Sequence, residues 1–407
     1  MSSVLYVTYD GLLEPLGQSQ VLAYLALLAS EHRIHVMSFE KKADSSDAGK
    51  VRALRGRLHE LGIGWTPLRY HKTPSAPATA FDIAVGMLVG SWLALRNRVT
   101  IVHARSYVPA LIAMPIRFLA GAKLLFDMRG FWADERVDGR LWLASGALYR
   151  ITKRLERSFL RAADHIVTLT RASARELERF PVLRQWPRPI TVIPTCADLA
   201  RFRPSAGRAD DGFVFGYVGS VGTWYLFEET LLFFKALLRR RPDARFLVVN
   251  RNEHAPIRSM ADRLGIPRET IELVSAAHAD VPRFVQRMHL GAALIRPSYS
   301  KIASAPTKLA EYLGCGVPCL GNAGVGDVQE ILEQEQVGVV MRGFSAADID
   351  AAVDASLLLM ADPALGARCA AVARRLFSLD EGVASYRAIY RSLSTELPQG
   401  QPHEHRS

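Results

Sequence analysis

The sequence predicts an α/β protein of two successive domains, each built on a parallel sheet, facing each other across a cleft. Three observations carry that prediction. Short apolar strands alternate with loops and helices from residue 4 to residue 194. After a stretch rich in Arg, Pro, Asp and Gly at 201–211, the same alternation restarts at Phe213. The chain has 407 residues, 49% of them apolar, which is enough for two ordinary cores.

In the first half, 4–8 is a compact apolar strand that runs into Tyr9-Asp10-Gly11. A loop to Gly17, a helix over 19–30 and a strand over 32–38 follow. The pattern continues with a strand at 100–104, a helix over 109–119 and a strand at 123–127. A long helix near 147–162, a strand at 165–169 and a last strand at 191–194 complete this half. In the second half, 213–219 is a strand entering a glycine loop, with a helix near 226–239 behind it. Further strands are expected at 245–249, 272–274 and 291–295. The domain boundaries read as 1–205 and 206–380, with a final helix at 381–395 packing back on the first domain. The polar tail at 396–407 is expected to be disordered.

The formal charge of +11 points to anionic partners: phosphates, an anionic membrane surface or nucleic acid. No recognisable nucleic-acid module is present. The four cysteines, Cys196, Cys315, Cys319 and Cys369, lack zinc-ligand spacing and suggest no disulfide framework. They read as reduced and buried, as in cytoplasm. The opening residues carry no cationic region, so no signal peptide is expected. The most apolar long stretch, 81–95, reads as too short and too interrupted to cross a bilayer. The expected location is the cytoplasm, or peripheral on the inner face of the cytoplasmic membrane.

The most informative segment is 304–318. Pro306 fits the first position of a short helix, and Gly314 and Gly316 fit its end. Lys308 then lies where a helix N-terminus already favours anions. Glu311, three residues on, shares its face. A phosphate beside the lysine and a sugar hydroxyl pair beside the glutamate suit that arrangement, and an ordinary Glu/Lys helix contact would look the same. An apolar run at 319–322 then breaks into a loop with Gly324 and Gly326, at the carboxyl end of a strand where ligands sit in open parallel sheets.

Other stretches are less specific. The loop Gly216-Tyr217-Val218-Gly219-Ser220-Val221-Gly222-Thr223 can approach a phosphate closely, but its spacing is not the dinucleotide fingerprint. A tight turn without ligand would read the same. The loop from Asp10 to Gln18 occupies the equivalent place in the first half and is equally readable as a connector. His103 and Arg105 end one strand, while Asp127, Arg129, Phe131, Trp132 and Glu135 follow the next. They read as an aromatic-walled sugar pocket, or as a mutual salt-bridge network. Arg150, Lys153, Arg154, Arg157 and Arg161 share one face of the 147–162 helix, which suits an anionic membrane or a solvated surface. Asp348 and Asp350 read as dipole-stabilising acids at a helix start after Ser345, and no cluster has metal-ligand spacing.

Taken in order, these segments resemble the retaining glycosyltransferases of family 4, which have the GT-B fold of two facing Rossmann-like domains. The likeness spans nearly the whole chain. It rests on the N-terminal strand and loop, Val102-His103-Ala104-Arg105, 192–195 with Asp198 and 201–204, Gly216-Tyr217-Val218-Gly219, and 308–318. Members acting in bacterial surface or exopolysaccharide assembly are the most similar. The resemblance implies a nucleotide-sugar donor held mainly by the second domain, and a glycan or lipid-linked acceptor held by the first. Catalysis is then expected from Lys308, Asp127, Arg129, His103 and Arg105. Donor contacts are expected from Glu311 on the ribose, Thr307, Gly219, Ser220, Gly222, Thr223, Gly324 and Gly326. Acceptor contacts are expected from Gly11, Gly17, Gln18, Trp132 and Glu135. No metal and no cofactor are implied. The chain departs from the family pattern at Ala303, where an earlier glutamate would fall. It departs also at Ser220, Thr223 and Trp224, in place of an arginine and lysine, and at Arg105, in place of a histidine. A nucleotide-sugar 2-epimerase of the same fold and a non-catalytic sugar-nucleotide or polysaccharide binder are the alternatives.

Overall fold

A computed structural model of the chain describes residues 1–205, 212–277 and 279–395. The tail at 396–407 and residues 206–211 of the expected linker lie outside the described residues. The first domain carries seven parallel strands. In chain order they are β1 (Ser3–Thr8), β2 (Arg33–Glu40), β3 (Gly64–Arg69), β4 (Ile101–Arg105), β5 (Lys123–Asp127), β6 (His165–Thr168) and β7 (Ile190–Val192). Across the sheet they run β3-β2-β1-β4-β5-β6-β7. The period of two sorts their side chains onto opposite faces. On β1, Leu5 and Val7 join a core with the helices Ser75–Arg96, Tyr107–Ala120 and Ala147–Ala162. Val4 and Tyr6 join a core with Ala23–Leu28, Ala48–Glu60 and Leu379–Thr395.

The second domain has six parallel strands: β8 (Val214–Val218), β9 (Arg245–Val249), β10 (Ile271–Val274), β11 (Leu290–Ala292), β12 (Cys319–Asn322) and β13 (Gly338–Met341). Their order is β10-β9-β8-β11-β12-β13. Stacked Phe215, Phe234 and Phe246 anchor one face of this sheet. In both sheets the strand order reverses at the first strand, between β1 and β4 and between β8 and β11. Crevices at such reversals are where open parallel sheets take ligands.

The chain returns to its beginning through the helix Leu379–Thr395. Tyr386 and Tyr390 of that helix reach Asp127 and His103, and Arg387 and Arg391 pair with Glu31.

Two parts of the first domain differ from the sequence expectation. The strand β3 was not expected, because Gly64-Trp65-Thr66-Pro67-Leu68-Arg69 lacks an apolar run. It sits at the sheet edge, where a proline whose nitrogen faces outward costs no ladder bond. The apolar stretch 81–95 belongs to a 22-residue helix, Ser75–Arg96, whose segment 76–96 is long and apolar enough to cross a membrane. Its length does not keep it from spanning; its packing places it in the domain. Gly86 and Gly90 let it lie against Ile112 and Ile116 of the next helix. Asp82 is buried and accepts from Tyr9 and the His71 amide.

Candidate donor and acceptor site

The helix Thr307–Gly314 begins one residue later than expected, with Pro306 as its extended N-cap. Lys308 and Glu311 are each only 6% exposed. Lys308 Nζ has no hydrogen-bond acceptor in the protein. It lies over two rings, Tyr217 at 4.1 Å and Tyr225 at 3.8 Å. A Cβ placed on Gly219 would stand 3.6 Å from it, so the ammonium points at the glycine loop after β8. Burial pulls Lys308 down to about 7, with Glu311 countering in part. Burial likewise raises Glu311 to about 7 against the pull of Lys308 and Arg201. Two groups kept this close to neutrality in one crevice mark a candidate site.

The glycine loop is held rather than loose. Gly219 takes a φ of 115° and its amide donates to the Val249 carbonyl. Asn250 donates to the Gly219 carbonyl at 2.9 Å and to Glu253 at 2.7 Å. Glu253 accepts from the Val221 amide. Ser220, Gly222 and Thr223 are exposed on the loop surface. Gly324 packs against Pro297. Gly326 has another evident role: a Cβ there would meet the Ser304 carbonyl at 2.3 Å and Thr170 at 2.7 Å, and its amide donates to the Lys301 carbonyl. It lets the domains approach.

On the first-domain side, Asp127 and His103 are turned inward. Asp127 is fully buried and accepts from Tyr386 Oη at 3.0 Å. His103 Nε2 and Arg105 Nη1 both lie 3.7 Å from its carboxylate, and Arg129 Nη1 lies at 4.0 Å. Burial opposes the Asp127 charge, but Arg129, His103 and Arg105 outweigh it and hold the carboxyl below its ordinary value. His103 shares a 2.8 Å hydrogen bond with Tyr390, and burial lowers its basicity. The helix Leu379–Thr395 therefore caps this charged hub. Of the four groups expected to be catalytic on this side, the Arg129 side chain is the most accessible. Arg129 takes a φ of 57°, and Gly130 after it faces the Ala303 carbonyl of the second domain at 3.8 Å from its Cβ position. The loop after β5 thus meets the turn at 299–303 that leads into the 307–314 helix, as does Thr170 after β6, which donates to the Ile302 carbonyl at 2.7 Å.

Gly11, Gly17 and Gln18 also have internal roles. The carboxylate of buried Glu40 accepts from the Leu12 and Leu13 amides. Glu40 also fills the space a side chain on Gly11 would need. Gly17 lies directly against the Gly11 carbonyl. Gln18 donates to the Leu12 carbonyl and accepts from Arg57. Trp132 packs among Tyr107, Trp142 and Arg136. Glu135 pairs across the domain boundary with Lys301 at 2.8 Å, and the Lys301 ammonium lies 3.7 Å over the Trp224 ring. Asp138 accepts from the Ser300 amide, and Asp327 accepts from the amides of Arg171 and Ala172. The structure is a closed one in which each domain caps the other. Of the basic face on the 147–162 helix, Lys153 is drawn in by Asp134 and Glu156, while the four arginines stay exposed. Ser345 and Asp348 form a reciprocal capping box.

Sequence reasoning missed Tyr217 and Tyr225 beside Lys308, Asn250 and Glu253 under the glycine loop, and Tyr386 and Tyr390 over the charged hub. The last pair sits at i, i+4 on one helix face, but spacing does not say what that face meets.

Residues 17–201 match the model of Glycosyltransferase Family 4. No curated protein matches the chain. Three solved structures illustrate the likeness in shape. A sucrose-phosphate synthase from Thermosynechococcus elongatus is 15% identical at a TM-score of 0.70, over 98% of this chain and 100% of that one. A glycosyltransferase from Rickettsia africae is 13% identical at 0.70, over 97% and 99%. HepE of Anabaena, in complex with UDP and glucose, is 14% identical at 0.65, over 96% and 100%. The chain has the GT-B fold of these proteins.

Proposed function

We propose that the chain is a glycosyltransferase. It moves a sugar from a nucleoside-diphosphate-sugar to a glycan or lipid-linked acceptor, with retention and without a metal, in bacterial surface or exopolysaccharide synthesis. One observation carries this reading: a buried ammonium without an acceptor, at a helix N-terminus, aimed at a glycine loop, with a carboxyl one turn away. A diphosphate between Lys308 and the Gly219 loop would supply the missing acceptor, and Glu311 would take the ribose hydroxyls. The match of residues 17–201 and the shared fold support the assignment.

Charge on the departing diphosphate is the main quantity to be stabilised. Lys308, the loop amides and the first turn of the 307–314 helix do this from fixed positions. Closure between Glu135, Asp138 and Asp327 and their partners excludes water. The acceptor hydroxyl attacks from the face the diphosphate leaves, and a leaving phosphate oxygen takes its proton. That route suits a first domain whose His103 and Asp127 are enclosed. The test is thermal shift with UDP-, GDP-, ADP- and CMP-sugars, followed by nucleotide release in the presence of acceptor pools. Failure of every donor to stabilise the protein would overturn the reading. Tight binding without turnover would favour the non-catalytic alternative, which Ala303 in place of an acid also supports.

A further inference from the structure

Among the described residues, ten of the fifteen exposed large apolar side chains lie on one outer surface of the first domain. That surface is formed by the helices 75–96, 107–120 and 147–162, which pack side by side over one face of the sheet, together with the loop leading into the third. Phe81, Leu88, Trp92 and Leu95 form an outward stripe along the first helix. Phe118 and Leu119 end the second, with Phe118 87% exposed. The contacts of Gly86 with Ile112 and of Gly90 with Ile116 show that the first two helices run parallel. Trp92, Leu95 and Phe118 therefore gather at one end. Leu141 and Leu143 protrude before the third helix, and Leu148 and Ile151 from its first turns.

The charges on this surface are of one sign. The only acids within 75–120 and 141–163 are Asp82 and Glu156, and both are buried. Arg96 and Arg98 flank the aromatic end, and Arg96 lies over Trp92 at 5.3 Å. Arg150, Arg154 and Arg157 are exposed beside Leu148 and Ile151. Monomer surfaces rarely keep so many large apolar side chains on one face. Protein interfaces deplete charge at their centres and keep a polar rim. Exposed Leu, Trp and Phe flanked by arginines, with no exposed carboxylate among these helices, instead match the boundary between acyl chains and anionic headgroups.

We propose that this three-helix layer is a docking surface for an anionic lipid bilayer, on which the protein lies peripherally. The Leu141–Leu143 loop follows directly from the helix Trp132–Asp138, whose Glu135 and Asp138 contact the second domain. Docking would therefore hold the mouth of the inter-domain crevice close to the membrane. The inference stands apart from the sugar-transfer reading, because vesicle binding is measured without donor or acceptor.

The test is co-sedimentation of the full chain with vesicles of phosphatidylglycerol and phosphatidylethanolamine, against vesicles of phosphatidylcholine alone. Binding to the anionic vesicles is expected, weakening in 0.5 M salt (roughly a 4 Å screening length). Arg150→Gln with Arg154→Gln should lower the partition coefficient about fivefold per arginine removed. Leu88→Glu with Trp92→Glu should abolish binding while leaving the thermal midpoint unchanged, since both side chains already face solvent. Equal partition of wild type and variants, or no preference for anionic vesicles, would overturn the proposal. So would a wild-type dimer that Leu88→Glu with Trp92→Glu makes monomeric, which would assign the face to a second copy of the chain.

Discussion

Replacing Lys308 by Met should make the protein more stable and less able to bind its donor. The ammonium is buried against Tyr217 and Tyr225 without an acceptor, and burial brings it from 10.5 to about 7. That difference corresponds to about 5 kcal/mol of lost preference for the charged form. The sign follows from proton counting. Between pH 7 and 10.5 the unfolded chain holds a proton that the folded chain releases, so Lys308 costs stability most at or below pH 7 and nothing above 10.5. Methionine fills nearly the same space and removes that cost. Lost ring contacts and the change at Glu311 take back roughly half, leaving a gain of about 2 kcal/mol at pH 7. For a domain of this size the melting midpoint should rise by about 4–8 °C, and the gain should fade as the pH approaches 10. Nucleoside-diphosphate affinity should fall by about ten- to a hundredfold, the worth of one charge-assisted hydrogen bond. Calorimetry and titration of the two proteins across pH 6–10 check both halves. A variant that is less stable, or that binds nucleotide as well as wild type, would refute the reasoning.

Three further predictions follow from other parts of the site. Glu311→Gln should weaken nucleotide binding about tenfold; because the folded carboxyl is raised from 4.5 to about 7, it should also stabilise the protein by about 1–2 kcal/mol above pH 7 and by nothing below pH 4.5. Tyr386→Phe removes the hydroxyl donor of buried Asp127 and should cost about 1–3 kcal/mol in a denaturant melt, with nucleotide affinity unchanged. Gly326→Ala forces a methyl against the Ser304 carbonyl and Thr170; it should lower the melting midpoint and reduce turnover by holding the domains apart, and unaltered rates would show that this close approach is not needed.

Much of the fold was legible because parallel strands buried on both faces read as continuous apolar runs. Such runs stand out at β1, β4, β5, β8 and β9. The edge strand β3 was hidden, since half-buried strands with a proline carry no such run. The pairing of Lys308 with Glu311 could be read from helical spacing alone. Their depth of burial could not, because it depends on Tyr217 and Tyr225, some ninety residues earlier. The polar cluster at His103, Arg105, Asp127 and Arg129 was visible as a group. Its inward direction is set by Tyr386 and Tyr390, which arrive only when the last helix crosses back to the first domain. Local pattern reports which residues share a face; long-range contacts decide whether that face meets solvent, substrate or another helix.

A crystal structure of the protein with a bound nucleoside diphosphate would test the central claim most directly. The diphosphate should lie within hydrogen-bond distance of Lys308 Nζ and the Gly219 loop, with the ribose hydroxyls on Glu311. A nucleotide bound elsewhere, with Lys308 still enclosed by Tyr217 and Tyr225, would contradict it.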